Sequence, residues 1–536
     1  MTRVALIATP YPLDEFPSPP LGLSYAAAAF ESAGAEVIIL DYIVREYTPQ
    51  RLTQELASFA PDIIGTSSVT MNVKRGWAIL NDAKAACPNA VIAMAGPHVS
   101  FDIENSFASC PALDLIIRGE GETTIAEFVE SYKTPELWHR IKGIAFKAKG
   151  EIITTPARPF IDDLDQLPLP SRHLLPLSRY KALGFPVSII TGRGCPNRCI
   201  FCLGRKMVGF TVRHRSAQSV ADEIEEILKL GFSTINIADD LFTASKKRVL
   251  ALCQEITRRK LTFSWSVFSR VNTVDEEMLI AMKKAGCNSL SFGIESGNEE
   301  MLKTVKKGIS LKQARRASEI CQKVGIRAHA SYIAGLPGET KETLSDSVAL
   351  QKELEMDYGF HFLSPFPGTT VREEIDTFDL TLHSNDWDHY DADRAIVSTS
   401  ALSQREIEAI VAHEMKPFEE AWEALKRRCR KGQATEAEQM QVLGNRRMHL
   451  VFKMLSKELL AKLTELPVNH EKAMEMAVEA LAQEAQETTD FVEFTFGDLL
   501  KKGWVEFGIS EGAGWFGWHG ETSHGLPESI EARPTG

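Results

Sequence analysis

Several features that would assign the chain to a membrane or to nucleic acid are missing from its sequence. No apolar run approaches the roughly 18 residues that a membrane-spanning helix needs. The first residues lack the apolar core and small-residue cleavage site of a signal peptide. Acidic residues outnumber basic ones by 72 to 60, and a chain of net charge −12 gains nothing from releasing counterions on nucleic acid. We therefore expect a cytoplasmic protein with no transmembrane segment and no nucleic-acid partner.

The first 140 residues alternate short apolar runs with helical patterns. Continuous apolar strands separated by helices predict a parallel sheet covered on both faces, so we expect an α/β, Rossmann-like domain over residues 1–140. No GxGxxG motif follows the first run, which argues against NAD. The five predicted strands lie at 3–10, 35–41, 62–69, 90–97 and 114–120.

The rest of the chain divides into four further predicted segments. Residues 141–186 read as a β-hairpin turning near Lys149-Gly150, followed by a proline-rich linker. Six strand–helix units over 187–400 predict a partial (β/α)6 barrel, three-quarters of a full one. A helical pattern over 401–510 predicts a helical C-terminal domain, and the Gly-, Ser- and Glu-rich residues 511–536 predict a disordered tail.

Three of the nine cysteines are clustered. Cys195, Cys199 and Cys202 form a CxxxCxxC pattern directly after the first barrel strand, where barrels bind their ligands. Thiolates suit zinc or an iron–sulfur cluster. A structural zinc site would need a fourth ligand, and His214 is the one close candidate. Three cysteines can instead hold three irons of a 4Fe–4S cluster and leave the fourth iron open, which is our interpretation; a zinc site is the alternative.

Residues 187–370 resemble the radical S-adenosylmethionine (SAM) superfamily. The resemblance rests on the cysteine motif, NIADDLFT (236–243), FGIESG (292–297) and IAGLPGET (333–340). It implies that the open iron binds the amino and carboxylate groups of SAM. Where the superfamily often has a GGE-type motif, this sequence has Asp239 and Asp240. Either carboxylate could accept a hydrogen bond from the SAM ammonium. For one of the two, a helix cap is the alternative role. The implied SAM-binding residues are Phe201, Asp239, Asp240, Arg270, Glu295, Ser296 and Gly335.

These residues have distinct implied roles. Phe201 would shield the cluster near the adenine, and Glu295, assisted by Ser296, would accept from the ribose hydroxyls. The glycine at Gly335 would let the backbone approach the adenine closely. Arg270 would pair with the SAM carboxylate, with a surface salt bridge as the alternative.

The N-terminal domain resembles that of cobalamin-binding radical SAM enzymes over about residues 1–130. The motifs are PPLGLSYAAAAFESAG (19–34), AGPHVS (95–100) and RGEGETT (118–124). The group contains C- and P-methyltransferases and the anaerobic magnesium-protoporphyrin monomethyl ester cyclase. The DxHxxG motif that supplies a histidine beneath cobalt in other cobalamin proteins is missing. The implied cobalamin-binding residues are Ser67, Ser68, Val69, Gly96, Pro97, His98, Gly119, Glu120 and Gly121.

The resemblance implies an enzyme with three cofactors: a 4Fe–4S cluster, SAM and cobalamin. We expect a methyltransferase acting on an unactivated carbon of a small molecule or natural product, through methylcobalamin and a 5′-deoxyadenosyl radical. An external low-potential donor such as a flavodoxin or ferredoxin would supply electrons. The first alternative is cyclisation or oxidative rearrangement of a porphyrin-like substrate without methyl transfer. Methylthio transfer to tRNA would need a second cysteine trio and a basic tail, and the sequence has neither. A cobalamin or redox sensor would need no intact SAM site, so the SAM motifs found here argue against a sensor.

Overall fold

The N-terminal part of the chain forms one seven-stranded sheet in the order β2-β1-β3-β4-β5-β6-β7. The computed structural model describes residues 1–12, 17–510 and 512–520. All five predicted apolar runs form strands, and β1 to β5 are parallel. The strands are β1 (Arg3–Ala8), β2 (Glu36–Asp41), β3 (Ile63–Ser67), β4 (Val91–Ala95), β5 (Leu115–Ile117), β6 (Ile144–Ala148) and β7 (Glu151–Thr154).

The predicted hairpin is present, but it belongs to this first sheet. Its turn is at Lys149 and Gly150, which both have positive φ angles (52° and 85°), as a tight hairpin turn requires. Strand β6 pairs antiparallel with β5, so the sheet extends to Thr154. The predicted domain boundary at residue 140 is therefore about fourteen residues too early.

Helices cover both faces of the first sheet, as the continuous apolar strands predict. One face packs against α1 and α6, and the other packs against α2, α3 and α5. The helices are α1 (Leu21–Ser32), α2 (Pro49–Phe59), α3 (Val73–Ala86), α4 (Pro97–Phe101), α5 (Ile103–Ser109) and α6 (Glu122–Ser131).

A short helix, α7 (Leu177–Leu183), leads into six parallel strands in the order β15-β14-β13-β12-β11-β8, which confirms the partial barrel. The barrel strands and the small β9–β10 pair are β8 (Val187–Ile189), β9 (Gly192–Arg193), β10 (Arg213–His214), β11 (Thr234–Ile237), β12 (Ser264–Ser269), β13 (Cys287–Glu295), β14 (Arg327–Ala334) and β15 (Asp357–Phe362).

Helices line the outer face of the barrel, where the largest apolar core of the described residues lies. These helices are α9 (Ala217–Lys229), α10 (Lys246–Arg258), α11 (Glu276–Lys284), α12 (Glu299–Thr304), α13 (Leu311–Val324) and α14 (Lys341–Leu354). The short helix α8 (Gly204–Val208) follows the cysteine loop and has no buried residue. A connecting segment follows, with α15 (Thr370–Glu373), β16 (Thr381–Leu382) and β17 (Val397–Ser398).

The C-terminal region is helical, as predicted, but it ends in a hairpin. Its elements are α16 (Gln404–Arg430), α17 (Glu436–Ser456), α18 (His470–Ala485), α19 (Thr489–Lys501), β18 (Val505–Ser510) and β19 (Ala513–Trp518). The prediction of a disordered tail is wrong for 513–518, because Phe516 and Trp518 are buried in the core. Residue 511 and residues 521–536 of that predicted tail lie outside the described residues. No described helix has the length and apolar character required to span a bilayer.

Candidate active site

A cavity of about 310 Å³ lies between the C-terminal edge of the first sheet and the loops of the barrel. The loops after β3, β4 and β5 line one side, and residues next to the cysteine loop line the other. Among its lining residues are Ser67, Gly96, Pro97, Gly119, Glu120, Gly121 and Glu122 from the first domain, and Gly192, Arg193, Ala238 and Asp240 from the barrel. Both predicted cofactor regions therefore meet at one cavity.

A larger cavity of about 640 Å³ lies elsewhere, between α3 and α17. Its walls are mainly apolar, and none of the residues predicted from the sequence to bind a cofactor lines it. Size alone therefore does not identify the active site, and the smaller cavity is the better candidate because reactive groups converge there.

The three clustered cysteines lie in the loop after β9, and each sulfur atom faces an N–H donor. The contacts are Asn197 Nδ2 to Cys195 Sγ at 3.2 Å, Gly204 N to Cys202 Sγ at 3.4 Å and Arg270 Nη1 to Cys199 Sγ at 3.8 Å. N–H donors to thiolate sulfurs tune iron–sulfur clusters, so this donor set fits a cluster bound by three cysteines. Within the described ranges, no three His, Cys, Asp or Glu side chains converge as a ready-made metal cage.

The Cys202 thiol is reached by solvent but crowded by protein atoms. Burial by these atoms, with the nearby Cys199, Cys195 and Asp240, raises the pKa of the Cys202 thiol to about 11. Iron binds the thiolate, so cluster assembly releases the proton from this sulfur.

Asp239 and Asp240, which end the second barrel strand, have different surroundings. Asp239 is buried and accepts hydrogen bonds from Thr191 N at 2.6 Å, Thr191 Oγ1 at 2.5 Å and Gly192 N at 3.0 Å. Asp240 accepts from Gly194 N at 3.1 Å and lines the cavity. Burial raises the pKa of both carboxyls. Asp239 therefore holds the cysteine loop in place, and Asp240 alone of the pair is available to a ligand.

Glu295 is the last residue of β13 and has a positive φ of 71°, a strained conformation for a residue with a side chain. Its Oε1 accepts a hydrogen bond from Lys307 Nζ at 2.6 Å in a buried ion pair. Because such strain persists only where the surrounding structure imposes it, the position of this carboxylate is tightly fixed.

Lys307, which was not predicted from the sequence, connects three of the predicted SAM-binding residues. In addition to its bond with Glu295, its carbonyl oxygen accepts a hydrogen bond from Arg270, and its Nζ lies 5.9 Å from the centre of the Phe201 ring. Arg270 is buried and forms no surface salt bridge, so that alternative is wrong. No local motif marks Lys307, because its partners come from distant parts of the chain.

Ser296 and Gly335 are placed by backbone demands. Ser296 is fully buried, and its hydroxyl accepts from Asn298 N at 3.2 Å, so it caps the following turn. Gly335 has a φ of 87°, a conformation that favours glycine, and its N–H donates to Glu339 Oε2 at 2.6 Å. Burial raises the pKa of Glu339 to about 8, so this carboxyl is protonated at neutral pH. Glu339 was not predicted from the sequence, although its position in the GET turn was a usable signal.

Six of the nine residues predicted to bind cobalamin line the cavity: Ser67, Gly96, Pro97, Gly119, Glu120 and Gly121. Ser68 and Val69 lie in the adjoining loop, where Ser68 is buried and Val69 is 42% exposed. Gly96 has a φ of 113°, and a Cβ there would lie 2.4 Å from the Ser68 carbonyl oxygen. The close approach that requires glycine at this position is therefore between the loops after β3 and β4.

His98 does not line the cavity, and its role as a cobalamin contact stays a prediction. Its ring is buried, with Trp77 and Trp387 packed edge-on at centroid distances of 5.8 and 4.9 Å. Its Nδ1 lies 3.2 Å from Thr70 Oγ1 and its Nε2 lies 3.2 Å from Asp102. This histidine belongs to an aromatic cluster that it forms with Trp77 of α3 and Trp387 of the segment before β17.

Buried ion pairs join the first domain to the cysteine loop. Glu120 accepts from both nitrogens of Arg213, at 2.7 and 2.9 Å, and lies 3.4 Å from Arg193. Arg193, two residues before Cys195, donates to Glu122 at 2.5 Å. Short, buried, bidentate arginine–carboxylate pairs fix geometry as well as charge. The acidic residues of the RGEGE motif thus tie the two walls of the cavity together.

The cavity has open space and an unpaired polar atom, as a site for one arm of a large ligand requires. A Cβ at Gly22 or Gly119, both in the lining, would meet no atom within 4 Å. Glu122 Oε2 is buried, and no described group hydrogen-bonds to it. A volume of about 310 Å³ is at the low end for small-molecule sites, which fits one arm of cobalamin better than the whole cofactor.

Comparison with known proteins defines the class. The radical SAM superfamily model matches residues 189–350, and the B12 binding domain model matches residues 14–129. Two solved structures share the fold: the methyltransferase TsrM from Kitasatospora setae (TM-score 0.63, 21% identity, 72% of this chain and 78% of that one) and the cobalamin-dependent enzyme OxsB (TM-score 0.68, 17% identity, 94% and 81%). The fold and the site are those of a radical SAM enzyme with a cobalamin domain.

Sequence relatives define the family. An uncharacterized methyltransferase of Pyrococcus horikoshii is 35% identical over 69% of this chain and 81% of its own length. The anaerobic magnesium-protoporphyrin IX monomethyl ester cyclase of Cereibacter sphaeroides is 28% identical over 68% of this chain and 62% of its own length. The chain belongs to the family of cobalamin-binding radical SAM enzymes, and its cofactors are a 4Fe–4S cluster, SAM and cobalamin.

Proposed function

We propose that the enzyme transfers the methyl group of SAM to an unactivated carbon of a small molecule or natural product. One observation carries this proposal: the loops next to the predicted cluster ligands and the strand ends of the B12 domain line the same cavity. A reaction that uses both cofactors on one substrate needs this proximity, because the protein's main task is to orient groups whose chemistry the cofactors supply.

The cysteine loop is proposed to hold the cluster through Cys195, Cys199 and Cys202. When bound, the cluster and cobalamin supply one-electron cleavage of SAM and a carrier for its methyl group. The contacts from Asn197, Gly204 and Arg270 offset negative charge on the three sulfurs. An external low-potential donor such as a flavodoxin or ferredoxin is proposed to deliver the electrons.

The SAM molecule is proposed to lie between Asp240 and Glu295. Asp240 is the free carboxylate at the cavity and would accept from the SAM ammonium. Arg270 is buried beside Cys199 and would face the SAM carboxylate, while Glu295, held by Lys307, would accept from ribose hydroxyls. Phe201 and the Gly335 turn would flank the adenine.

Cobalamin is proposed to bind residues 1–154, with its nucleotide tail in the cavity and its corrin over the loop after β3. The N-terminus of α6 has no side-chain cap, and its first N–H groups would donate to polar groups of the tail. Ser67, Ser68 and Val69 would underlie the ring. Because its ring packs against Trp77 and Trp387 and does not line the cavity, we assign His98 no contact with the corrin or its tail.

The test uses SAM labelled in its methyl group. Reconstituted holoenzyme is incubated without oxygen with cobalamin, a reductant, labelled SAM and the small-molecule fraction of a cell extract. The proposal expects label in a product whose formation requires both cobalamin and the extract. Release of deoxyadenosine without label in any product would contradict methyl transfer.

A second candidate is a cyclase or other oxidative rearrangement of a porphyrin-like substrate, in which cobalamin carries no methyl group. The similarity to magnesium-protoporphyrin cyclases, at 28% identity over 383 residues, favours it. In the labelling experiment this reaction gives an unlabelled product and extract-dependent deoxyadenosine, so the two candidates have opposite outcomes.

A further inference from the structure

Two helices of the C-terminal region project from the body of the molecule. Of residues 412–449, all of which the structure describes, only Leu425 is buried. This segment, which we call the arm, contains most of α16 and α17. Its second helix meets the body at Arg446, which pairs with Glu487 at 2.6 Å. At about 1.5 Å per residue, the part of α17 between Glu436 and Arg446 extends roughly 15 Å beyond the body.

One stripe of α17 carries apolar side chains both inside and outside the body. Residues spaced by three and four positions share one side of a helix. In this stripe Leu450 and Met454 are buried in the core. Nearer the end of the arm, Leu443 is 36% exposed and Met440 is 64% exposed. Gly444 lies beside them, and a Cβ there would meet no atom within 4 Å. The outer half of the stripe is therefore an apolar surface that no described part of the chain covers.

The outer half of this stripe is complementary to a second copy of itself. In a dimer with two-fold symmetry the same surface meets from both sides, so it must match itself. Two antiparallel copies of α17 satisfy this condition when the two-fold axis lies midway between Gln441 and Val442. Met440 of each copy then faces Leu443 of the other, and Gly444 lets the two backbones approach closely.

The tip of the arm, residues 426–431, is strongly basic. Five of its six residues are Lys or Arg. Two of these are paired with glutamates of the arm, whereas Arg427, Arg430 and Lys431 form no ion pair with any residue that the structure describes. Exposed charges are screened beyond a Debye length of about 8 Å at physiological salt. The tip, roughly 15 Å from the body, can therefore bind an acidic surface although the whole chain has a net charge of −12.

An acidic region lies at the base of the arm. Residues 465–498 contain nine acidic residues and one lysine, and Arg446 of α17 contacts Glu487 within this region. Asp490 and Glu493 are exposed there, and neither forms an ion pair with another described residue. The length of the arm separates each tip from the acidic region of its own chain. An antiparallel arrangement of two arms instead brings each tip beside the acidic region of the other copy.

We propose that the arm is a dimerisation surface and that its partner is a second copy of this chain. The two arms run antiparallel, and Met440 and Leu443 of each copy cover those of the other. Each basic tip lies against the acidic region of the other copy. One two-fold contact thus covers the exposed stripe and neutralises the tip, and both complementary surfaces are present on this chain.

Sedimentation velocity of the anaerobically reconstituted holoenzyme tests the inference through a charge swap. The tip variant, Arg430→Glu with Lys431→Glu, makes the tip less basic. The base variant, Asp490→Lys with Glu493→Lys, makes the acidic region less acidic. Each variant alone places like charges against each other in both contacts of the dimer. An equal mixture of the two variants restores opposite charges in both contacts of a mixed dimer. The unfolding temperature and cobalamin content check that each variant is folded.

A separate variant tests the apolar contact. Leu443→Glu places a carboxylate at the centre of the proposed contact, where burial without a partner is unfavourable. Ile280→Glu is the matched control, because Ile280 on α11 is 38% exposed and lies outside the arm.

We expect wild type and Ile280→Glu to sediment at twice the mass of one chain. The tip variant, the base variant and Leu443→Glu should each raise the dissociation constant of the dimer about 100-fold. The mixture of tip and base variants should return it to within about tenfold of wild type.

Wild-type protein that sediments as one chain, or as an assembly larger than two chains, would overturn the inference, and so would a dimer that the tip and base variants leave intact. A mixture of the folded tip and base variants that stays monomeric would overturn it as well, because the charge swap is specific to this contact.

Discussion

Asp239 and Asp240 show how surroundings separate two identical side chains. The first is saturated by backbone and hydroxyl donors from the end of the first barrel strand, and Arg248 lies 3.7 Å from it. The second keeps one oxygen free toward the cavity. The two neighbouring aspartates could not be distinguished from the sequence, because the donors to Asp239 are nearly 50 residues away in the chain.

We expect opposite defects when each of these two carboxylates is changed to its amide. Asp239→Asn turns an NH2 group toward N–H donors and should cost about 2–4 kcal/mol of folding free energy, seen as a lower unfolding temperature. Asp240→Asn should leave the unfolding temperature near that of wild type and weaken SAM binding about 10- to 100-fold, measured by equilibrium dialysis. An unfolding temperature lowered more by Asp240→Asn than by Asp239→Asn would contradict this assignment.

Glu339 makes the stability of the chain depend on pH. Burial raises its pKa from 4.5 to about 8 in the folded state, so the folded chain holds a proton that the unfolded chain releases. Its contribution is therefore fully present below pH 4.5 and is lost as the pH rises to about 8. The loss is on the order of a few kcal/mol.

Glu339→Gln mimics the protonated carboxyl and should flatten this dependence, raising the unfolding temperature at pH 8 relative to wild type. Glu342, one turn away and fully exposed, supplies the matched variant Glu342→Gln, which should keep the wild-type slope. Parallel curves of unfolding temperature against pH for wild type and Glu339→Gln would show that Glu339 does not carry the effect.

The close packing of the loops after β3 and β4 depends on Gly96. Gly96→Ala places a Cβ 2.4 Å from the Ser68 carbonyl at a φ of 113°, so the two loops must separate, at a cost of about 1–3 kcal/mol. We expect this variant to lose cobalamin on gel filtration. Gly34→Ala is the control, since Gly34 has a φ of 80° but its Cβ would meet no atom within 4 Å. It should be slightly destabilised yet retain cobalamin; equal losses from both variants would argue against a role for the loop contact.

Strands were the most predictable elements of the chain. All five parallel strands of the first domain coincide with predicted apolar runs, because helices cover both faces of that sheet. The hairpin at Lys149-Gly150 was equally readable from its turn residues. The strand at 513–518 was missed because its Gly-rich composition resembles a tail, whereas Phe516 and Trp518 secure it to the core.

The candidate site was predictable only where a motif is local. The cysteine loop and the RGEGE segment were found from spacing, and they do meet at the cavity. Lys307 and the pairing of Glu120 with Arg213 depend on residues far apart in sequence. His98 shows the limit of a motif, which gives a residue's position in the chain, whereas Trp77 and Trp387 determine where its ring packs.

The packing of the first domain against the barrel depends on buried ion pairs between them. Glu120→Gln leaves Arg213 and Arg193 with less compensating charge in a buried setting, and removing one partner of such a pair costs about 3–5 kcal/mol. We expect faster limited proteolysis in the linker at 155–186. Glu353→Gln breaks a bidentate pair with Arg315 that is about half exposed, and should change the cleavage rate little. Equal cleavage of the two variants would mean that the Glu120 pair does not hold the domains together.

The proposed function requires the two cofactors to lie close together, at the cavity that has the B12 domain on one side and residues next to the cysteine loop on the other. Electron paramagnetic resonance of anaerobic holoenzyme containing both reduced cluster and cob(II)alamin measures their proximity directly. We expect each signal to be broadened and to relax faster in the doubly loaded protein than in protein that carries one cofactor. A spectrum equal to the sum of the two singly loaded spectra would contradict it.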